Sequence, residues 1–184
     1  MKIGIMTFWW SEDNYGQLLQ CYALQKYLRD QGHDPFLIRY DPRKDYVPTP
    51  LHRNLLKALN PVKLARYLSL KRRKYLSAKE YTVHNRQFSA FRDTYLKQSE
   101  RIYYSYDELT ANPPEADCYI VGSDQIWNFG NIPLQRVKKL IHAYFLDFGS
   151  ESVIRIAYAA SWGREQIPDD FISEIAPLLK KFQK

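Results

Sequence analysis

The chain opens on Ile3-Gly4-Ile5-Met6-Thr7-Phe8, an almost continuous apolar run that is typical of a buried β-strand. A polar loop at residues 11–16 follows this run. Apolar residues then recur at the spacing of one helix face, namely Leu18, Cys21, Leu24 and Leu28. Gly32 stands where glycine commonly ends a helix, and residues 35–40 read as a second strand. A strand, a helix and a strand within about forty residues predict a βαβ unit, and therefore a parallel sheet.

The rest of the chain continues this α/β pattern. Residues 118–121, 143–148 and 154–160 are short apolar runs, and we predict a strand at each of them. Ser105 and Glu108 form a capping box that predicts a short helix ending before Pro113. Phe88 and Phe91 predict a further helix anchored on the core. A last helix, with a kink at Pro177, is predicted from one apolar face: Phe171, Ile172, Ile175, Leu178, Leu179 and Phe182. The predicted fold is an open, mostly parallel, Rossmann-like sheet with flanking helices.

The positive charge of the chain is concentrated in one segment. Between Lys44 and Glu80 there are ten Lys or Arg residues and two acids, whereas the whole chain carries a net charge of +7. Three prolines and several leucines in this segment predict a basic helical insertion at about 45–100. Two interpretations stay open. In the first, the charges lie on solvated helix faces. In the second, Lys71, Arg72, Arg73 and Lys74 attract an anionic membrane or a lipid-linked glycan.

Several classes of protein and site are disfavoured by what the sequence does not contain. There is no run of about 18 apolar residues and no signal-peptide pattern, so we expect a soluble protein in the cytoplasm. Cys21 and Cys118 read as buried thiols, and the four histidines lack metal-ligand spacing, so no metal is expected. P-loop, dinucleotide-binding and nucleophile-elbow motifs are also missing.

Three loops that leave predicted strands have an unusual polar content: residues 13–17, 122–128 and 161–164. Each contains a glycine, an aromatic residue and a short polar side chain, which is typical of a site for a sugar or another small polar ligand. In open α/β sheets such ligands bind at the carboxyl ends of the strands. The alternative is structural: Asn14 and Ser123 as helix caps, Asp124 as a partner of backbone N–H groups, and Trp127 and Trp162 as core aromatics.

The same three segments resemble the polysaccharide pyruvyltransferase family. The resemblance lies in Asn14-Tyr15-Gly16 with Leu19-Gln20 and Tyr22-Ala23-Leu24, in Gly122-Ser123-Asp124-Gln125-Ile126-Trp127-Asn128, and in Tyr158-Ala159-Ala160-Ser161-Trp162-Gly163. The Gly-Ser-Asp-Gln-x-Trp-Asn string is the most specific of the three. Members of this family move the enolpyruvyl unit of phosphoenolpyruvate onto two hydroxyls of a sugar and leave a pyruvate ketal, as in the biosynthesis of bacterial exopolysaccharides and other cell-surface glycans.

The resemblance implies a GT-B-like enzyme of two Rossmann-like domains, of which residues 1–184 would be the N-terminal, acceptor-side domain. The family's donor-site Arg and His residues belong mainly to a C-terminal domain, which we expect to be absent from this chain. We therefore expect the chain alone to be inactive. Phosphoenolpyruvate would be the donor substrate, no cofactor is expected, and a glycan or lipid-linked sugar would be the acceptor.

The site residues follow from the matching segments. Asp124 is the candidate catalytic residue, as a base for the sugar hydroxyl. The candidate substrate-binding residues are Asn14, Tyr15, Gly16, Gly122, Ser123, Gln125, Trp127, Asn128 and Ser161.

Three other functions are compatible with parts of the sequence. A GT-B-type glycosyltransferase that uses a nucleotide sugar would have a similar fold and cleft, but the Gly-Ser-Asp-Gln-x-Trp-Asn string argues against it. A nucleic-acid-binding module is suggested by the pI of about 9.3, but the basic residues are confined to one insertion and no nucleic-acid motif is present, so no nucleic-acid partner is expected. A non-enzymatic role for a naturally short chain also stays open.

Overall fold

The computed structural model describes residues 1–12, 14–45 and 87–183, together with Ser69 and Arg72. The chain divides into two units, Met1–Val47 with Phe88–Lys184 and Pro48–Gln87, and nearly all of the described residues belong to the first. Most of the predicted basic insertion lies outside the described residues, including Lys71, Arg73 and Lys74. Ser69 and Arg72 are helical and exposed.

Four parallel strands form one open sheet, as the sequence predicts. They are β1 (Lys2–Met6), β2 (Asp34–Leu37), β3 (Cys118–Asp124) and β4 (Ile154–Ala160), and their order across the sheet is β2-β1-β3-β4. Residues 97–103 run alongside the outer edge of β2, with bridges from Leu37 to Gln98 and from Tyr40 to Tyr103. The architecture is a Rossmann-like α/β sheet.

Helix α1 (Tyr15–Asp30) connects β1 to β2 and confirms the predicted βαβ unit. The Asn14 side chain caps it by accepting a hydrogen bond from the Gln17 amide at 3.2 Å, which satisfies an N–H group that has no partner within the helix. Leu18, Cys21 and Leu24 are buried, as their spacing predicts. The helix ends at Asp30, two residues before Gly32.

Four further helices lie in the described part of the chain: α2 (Phe88–Tyr95), α3 (Tyr106–Ala111), α4 (Leu134–Tyr144) and α5 (Asp169–Leu179). The Ser105 hydroxyl caps α3 by accepting from the Glu108 amide, which confirms the predicted capping residue. Phe88 is buried and anchors α2 as predicted. Buried Phe171, Ile175 and Leu178 confirm the apolar face of α5, and Pro177 lies inside this helix. None of the described helices is long and apolar enough to cross a membrane.

Alternating strand residues face two separate cores. Ile3, Ile5, Cys118 and Ile120 pack with Leu24 of α1 in the smaller core. Met6, Tyr119 and Val121, one residue out of phase, belong to the larger core with α4 and α5. Strands β1 and β3 are therefore covered on both faces, which agrees with their nearly continuous apolar character, whereas β4 exposes Ile156 and Tyr158. Burial raises the pKa of the Cys21 thiol to about 12, so this cysteine is a neutral core residue.

The strand predicted at residues 143–148 is wrong. Ala143 and Tyr144 end helix α4, and the chain then turns through Phe145 and Leu146, where Leu146 has a φ of +56°. All of these side chains are buried, so the apolar run indicates burial and not a strand. Periodicity cannot separate a short buried strand from the end of a buried helix. The buried residues Val137, Leu140, Ile141 and Tyr144 show the helical spacing.

The strand order places a crevice between the carboxyl ends of β1 and β3. From β1 the chain crosses to β2 on one side, whereas β3 and β4 lie on the other side. The order of the strands therefore reverses between β1 and β3. In open α/β sheets, ligands bind at this reversal.

Candidate functional site

Two pockets lie where β1 and β3 end. The polar pocket, of about 310 Å³, is lined by Asn14, Gly16, Gln17, Gln20, Ser123 and Asp124. The aromatic pocket, of about 500 Å³, is lined by Phe8, Trp10, Asp41, Pro42, Ile126, Asn128, Phe129, Leu140 and Tyr144. The first is built around the start of α1, and the second is built on residues of the larger core. Helix α1 and the loop after β3 thus bring two of the three predicted loops together.

Gln20 joins α1 to the ends of both strands. Its Nε2 donates to the Thr7 hydroxyl oxygen at 2.8 Å, and its Oε1 accepts from the Ser123 hydroxyl. The Thr7 hydroxyl in turn donates to the Ser123 carbonyl oxygen at 3.4 Å. Thr7 is buried, and Gln20 and Ser123 are half-buried, so this network holds the floor of the polar pocket in one arrangement.

Asp124 is the one carboxylate among the described residues that line the polar pocket. Its Oδ1 accepts from the Gln125 amide at 2.7 Å, and the residue is exposed. Its backbone φ is +97°, in the region that side chains rarely adopt. Among the described residues that line this pocket there is no Lys or Arg. Their carboxylate, amides and hydroxyl suit the hydroxyl groups of a neutral ligand better than a phosphate.

The structure assigns structural contacts to several predicted site residues. Asn14 is the helix cap named above, and it also borders the polar pocket with Gly16. The Tyr15 ring packs against Phe88, with the ring centroids 4.6 Å apart, although 53% of the residue is exposed. Ser123 is part of β3 and caps no helix. Gly122 is buried in β3 beside β4.

The third predicted loop contacts the second. Gly163 approaches the Gln125 Oε1 and the Asn128 Nδ2 closely, and its φ of +61° favours glycine. The Asn128 Nδ2 donates to the Gln125 Oε1 at 3.0 Å. Ser161 is exposed, and its backbone continues the pairing of β3 and β4 by donating to the Asp124 carbonyl oxygen at 3.0 Å. Gln125 and Ser161 do not line the polar pocket, and Asn128 lines the aromatic one.

Trp127 is a core residue, as the structural alternative proposed. It is buried, its indole N–H donates to the Tyr144 carbonyl oxygen at 3.0 Å, and its ring stacks on Phe145 with centroids 4.7 Å apart. Trp162 is half-buried against the same core. Trp127 therefore positions the loop that carries Gln125 and Asn128 and does not line either pocket.

Several residues that line the two pockets are not among the predicted site residues. Gln17 and Gln20 follow Asn14 at intervals of three along the chain, so their common helix face could have been inferred from that spacing. Phe8 and Trp10 lie in the segment that leaves β1, where two adjacent tryptophans are a signal in a chain with four of them. Within the described part of the chain, no group of three or more His, Cys, Asp or Glu residues could hold a metal ion.

Comparison with known proteins points to one family. A family model described as polysaccharide pyruvyl transferase matches residues 14–184, which include every residue that lines the polar pocket. Among curated proteins and among solved structures, none matches the chain.

Proposed function

This chain belongs to the polysaccharide pyruvyl transferase family, and from that membership we propose that it supplies the acceptor side of a transferase that attaches pyruvate to a glycan. The donor in this proposal is phosphoenolpyruvate, and the product is a cyclic pyruvate ketal on two hydroxyls of one sugar. No cofactor takes part.

The reaction balances without any further reactant. The methylene carbon of phosphoenolpyruvate gains a proton and becomes a methyl group, and the neighbouring carbon becomes an electrophile. The two sugar hydroxyl oxygens form bonds to this carbon, and the bond from the carbon to the phosphate oxygen breaks. Of the two hydroxyl protons, one balances the proton gained by the methyl group and the other leaves with phosphate. Catalysis therefore requires a base for the hydroxyls and cations for the phosphate and the carboxylate.

The observation that carries the proposal is the composition of the polar pocket at the strand-order reversal. Asp124 offers a carboxylate that can accept a hydroxyl proton, and Asn14 and Gln17 offer amide groups that can orient the sugar. Hydrogen bonds hold Gln20 and Ser123 beneath them. Such a set of short polar groups suits a polyol.

In this proposal Asp124 is the base, and Asn14, Gly16 and Ser123 form the acceptor-binding surface with it. Tyr15, Gly122, Gln125, Trp127, Asn128 and Ser161 shape this surface through the contacts described above. Phosphoenolpyruvate is an anion that needs cations, and the described residues that line the polar pocket include none. We therefore place the donor outside this pocket, in a second, GT-B-like domain.

The proposed acceptor is a glycan or a lipid-linked sugar at the cytoplasmic face of the membrane. Its support is the charge of the sequence, above all Lys71, Arg72, Arg73 and Lys74. Sedimentation with anionic liposomes tests the membrane contact. Binding at low salt that weakens at moderate salt is expected, because surface charges are screened; no binding at either salt concentration would refute it.

The transferase proposal is tested by the mass of the surface-glycan repeat from source cells with and without the gene. Loss of one pyruvate ketal per repeat on deletion is the expected result. A repeat that keeps its ketal but lacks a sugar would overturn the proposal in favour of a nucleotide-sugar glycosyltransferase.

A further inference from the structure

One buried threonine sets the direction of the hydrogen bonds beneath the polar pocket. Thr7 is 1% exposed, and its hydroxyl donates to the Ser123 carbonyl oxygen at 3.4 Å. A hydroxyl has a single proton, so the Thr7 oxygen accepts from Gln20, whose Nε2 donates to it at 2.8 Å. The nitrogen of the Gln20 amide therefore faces Thr7, and the amide oxygen faces Ser123.

The Ser123 hydroxyl consequently presents lone pairs, and not its proton, to the polar pocket. Its single proton is donated to the Gln20 Oε1. The residue is half-buried and lines the pocket, and within the described part of the chain no group donates to its hydroxyl oxygen. A ligand therefore binds this oxygen by donating a hydrogen bond to it.

Asp124 offers a second acceptor in the same pocket. Neighbouring side chains of a regular strand point to opposite faces, but the φ of Asp124, +97°, departs from strand geometry, and both Ser123 and Asp124 line the pocket. The Gln125 amide donates to the Asp124 Oδ1 at 2.7 Å, and no described residue donates to Oδ2. An ionised carboxylate only accepts hydrogen bonds, so these two neighbouring residues present two acceptors.

Two neighbouring acceptors favour a ligand that has two hydrogen-bond donors. A phosphate or a carboxylate would bring further acceptors and a negative charge against Asp124. An ammonium group could donate to both acceptors, but it has no lone pair left to attack an electrophilic carbon. A hydroxyl that donates its proton keeps lone pairs for that attack, so two hydroxyls match both the pocket and the proposed reaction.

We propose that the Ser123 hydroxyl oxygen and the Asp124 carboxylate accept hydrogen bonds from the two reacting hydroxyls of one sugar, and that Thr7 and Gln20 are positioning residues that set this direction. The proposal deepens the proposed function, on which the identity of the ligand rests. Asp124 takes the proton of one hydroxyl. Ser123 keeps its own proton on Gln20 and orients the second hydroxyl without acting as a base.

The test replaces the hydroxyls of simple sugars one at a time and measures binding to the 184-residue chain. The probes are the methyl pyranosides of glucose, galactose and mannose, and their analogues with a single hydroxyl changed to fluorine or to hydrogen. Phosphoenolpyruvate is left out. Affinities come from titrations followed by the backbone amide NMR signals of Gly16 and Asp124. Fluorine accepts a hydrogen bond weakly and cannot donate one, so it distinguishes the two directions.

We expect at least one parent sugar to bind and two of its hydroxyls to tolerate neither change. Fluorine and hydrogen should each weaken the affinity by about fivefold at these two hydroxyls, because either change removes the donated hydrogen bond. Ser123→Ala should remove this effect at one of the two hydroxyls and keep it at the other.

Ser173→Ala is the matched control for Ser123→Ala. The Ser173 hydroxyl also donates within the protein, to the Asp169 carbonyl oxygen at 3.0 Å, but it is on α5 and does not line the polar pocket. This variant should bind every probe as the unchanged chain does.

Thr7→Val tests the positioning role, because valine has the shape of threonine without its hydroxyl. The Gln20 amide is then free to reverse and to donate to Ser123, whose proton would turn toward the ligand. At the hydroxyl that Ser123 contacts, the fluorinated analogue should therefore bind better than the hydrogen analogue. Thr7→Ser keeps the hydroxyl and should restore the equal loss for both analogues. If Thr7→Val weakened all probes equally or changed none, the positioning role would be overturned.

Binding of none of the three parent sugars would overturn the proposal. Fewer than two hydroxyls that are intolerant of fluorine would also overturn it, because Ser123 or Asp124 would then not be an acceptor for the sugar. Both outcomes are read from the unchanged chain, so they hold even if a variant fails to fold. The assay contains no phosphoenolpyruvate and measures no transfer, so its failure is separate from failure of the pyruvyl-transfer proposal, which the ketal content of the glycan tests.

Discussion

The α-carbon of Gly122 faces the backbone carbonyl oxygen of Tyr158 so closely that a Cβ on this glycine would lie 2.1 Å from that oxygen. The φ of Gly122 is +116°, which also favours glycine. This contact lets β3 and β4 stay paired up to the point where β3 delivers Ser123 and Asp124 to the polar pocket. The role of Gly122 is therefore to set the backbone position of Ser123 and Asp124 at the end of β3.

Replacing Gly122 by alanine should destabilise the chain strongly. The methyl group would collide with a backbone atom that cannot move without breaking the strand pairing, and we expect a loss of about 3 kcal/mol in the free energy of unfolding. Urea denaturation measures it. Gly130→Ala is the control, since Gly130 also has a positive φ, +62°, but its Cβ would meet no atom within 4 Å. This variant should lose only about 1–2 kcal/mol. An equal loss in the free energy of unfolding for the two variants would contradict a close contact between Gly122 and Tyr158.

Arg92 should contribute more to stability than an ordinary surface charge. It is buried, donates to the Ser11 and Trp9 carbonyl oxygens, and pairs with the Glu12 carboxylate at 2.5 Å. Arg92→Met should lower the free energy of unfolding by about 2–3 kcal/mol, because the loop carbonyls lose their donor.

The control for Arg92 is Lys26→Met, which removes an exposed pair with Asp30 on α1. Such pairs are worth about 0.5 kcal/mol. Amide hydrogen exchange should also become faster at residues 9–12 in Arg92→Met and stay unchanged in Lys26→Met. If both variants had the same exchange rates and the same free energy of unfolding, the role of Arg92 in holding residues 9–12 would be refuted.

His142 lies between two carboxylates, 2.6 Å from the Asp147 Oδ2 and 2.7 Å from the Glu174 Oε1. Burial opposes ionisation of both carboxylates, but hydrogen bonds from Lys181 and His142 to Asp147, and from Lys138 and His142 to Glu174, outweigh it. The pKa of each carboxylate is therefore below its usual value.

Carboxylates with a lowered pKa in the folded state stabilise the chain above their unfolded pKa of about 4. This stabilisation is lost as the pH falls through the folded values, so the free energy of unfolding should decrease on acidification below about pH 4. Glu174→Gln should cost about 1–2 kcal/mol at pH 7 and flatten this decrease. Glu151→Gln, at an exposed residue, should leave the profile unchanged. Identical acid profiles for the two variants would contradict this account.

The sequence was sufficient for most of the sheet because the inner strands β1 and β3 are both apolar and buried, whereas β4 is apolar but largely exposed. Strands β1 to β4 and the face of α5 followed from local patterns, whereas the cap at Asn14 was the structural alternative to its predicted binding role. The strand predicted at 143–148 failed because a buried helix end and a buried strand share the same composition. The helical spacing of Val137, Leu140, Ile141 and Tyr144 and the positive φ of Leu146 distinguish the two.

The candidate site was predictable at the level of the backbone and less so for side chains. Parallel strands end at one edge, so the loops at 13–17 and 122–128 had to meet there. Which side chains point into a pocket depends on turns that no periodicity encodes. Trp127 turns inward to the Tyr144 carbonyl, while Gln20 reaches across from the polar side of α1 to Ser123.

The central claim is that Asp124 is the base for the acceptor hydroxyls in pyruvyl transfer. Asp124→Asn is the informative change, because asparagine tolerates the positive φ and keeps an oxygen for the Gln125 amide but loses the negative charge. The control is Asp170→Asn, since Asp170 likewise accepts from the next amide, at 3.0 Å, on α5. Neither change should alter the fold.

The most direct measurement is the rate of pyruvate transfer to the glycan by the enzyme, with the two variants compared in parallel. We predict that Asp124→Asn lowers the rate by about 100-fold or more, while Asp170→Asn keeps it within about twofold. An unchanged rate in a folded Asp124→Asn enzyme would contradict the account.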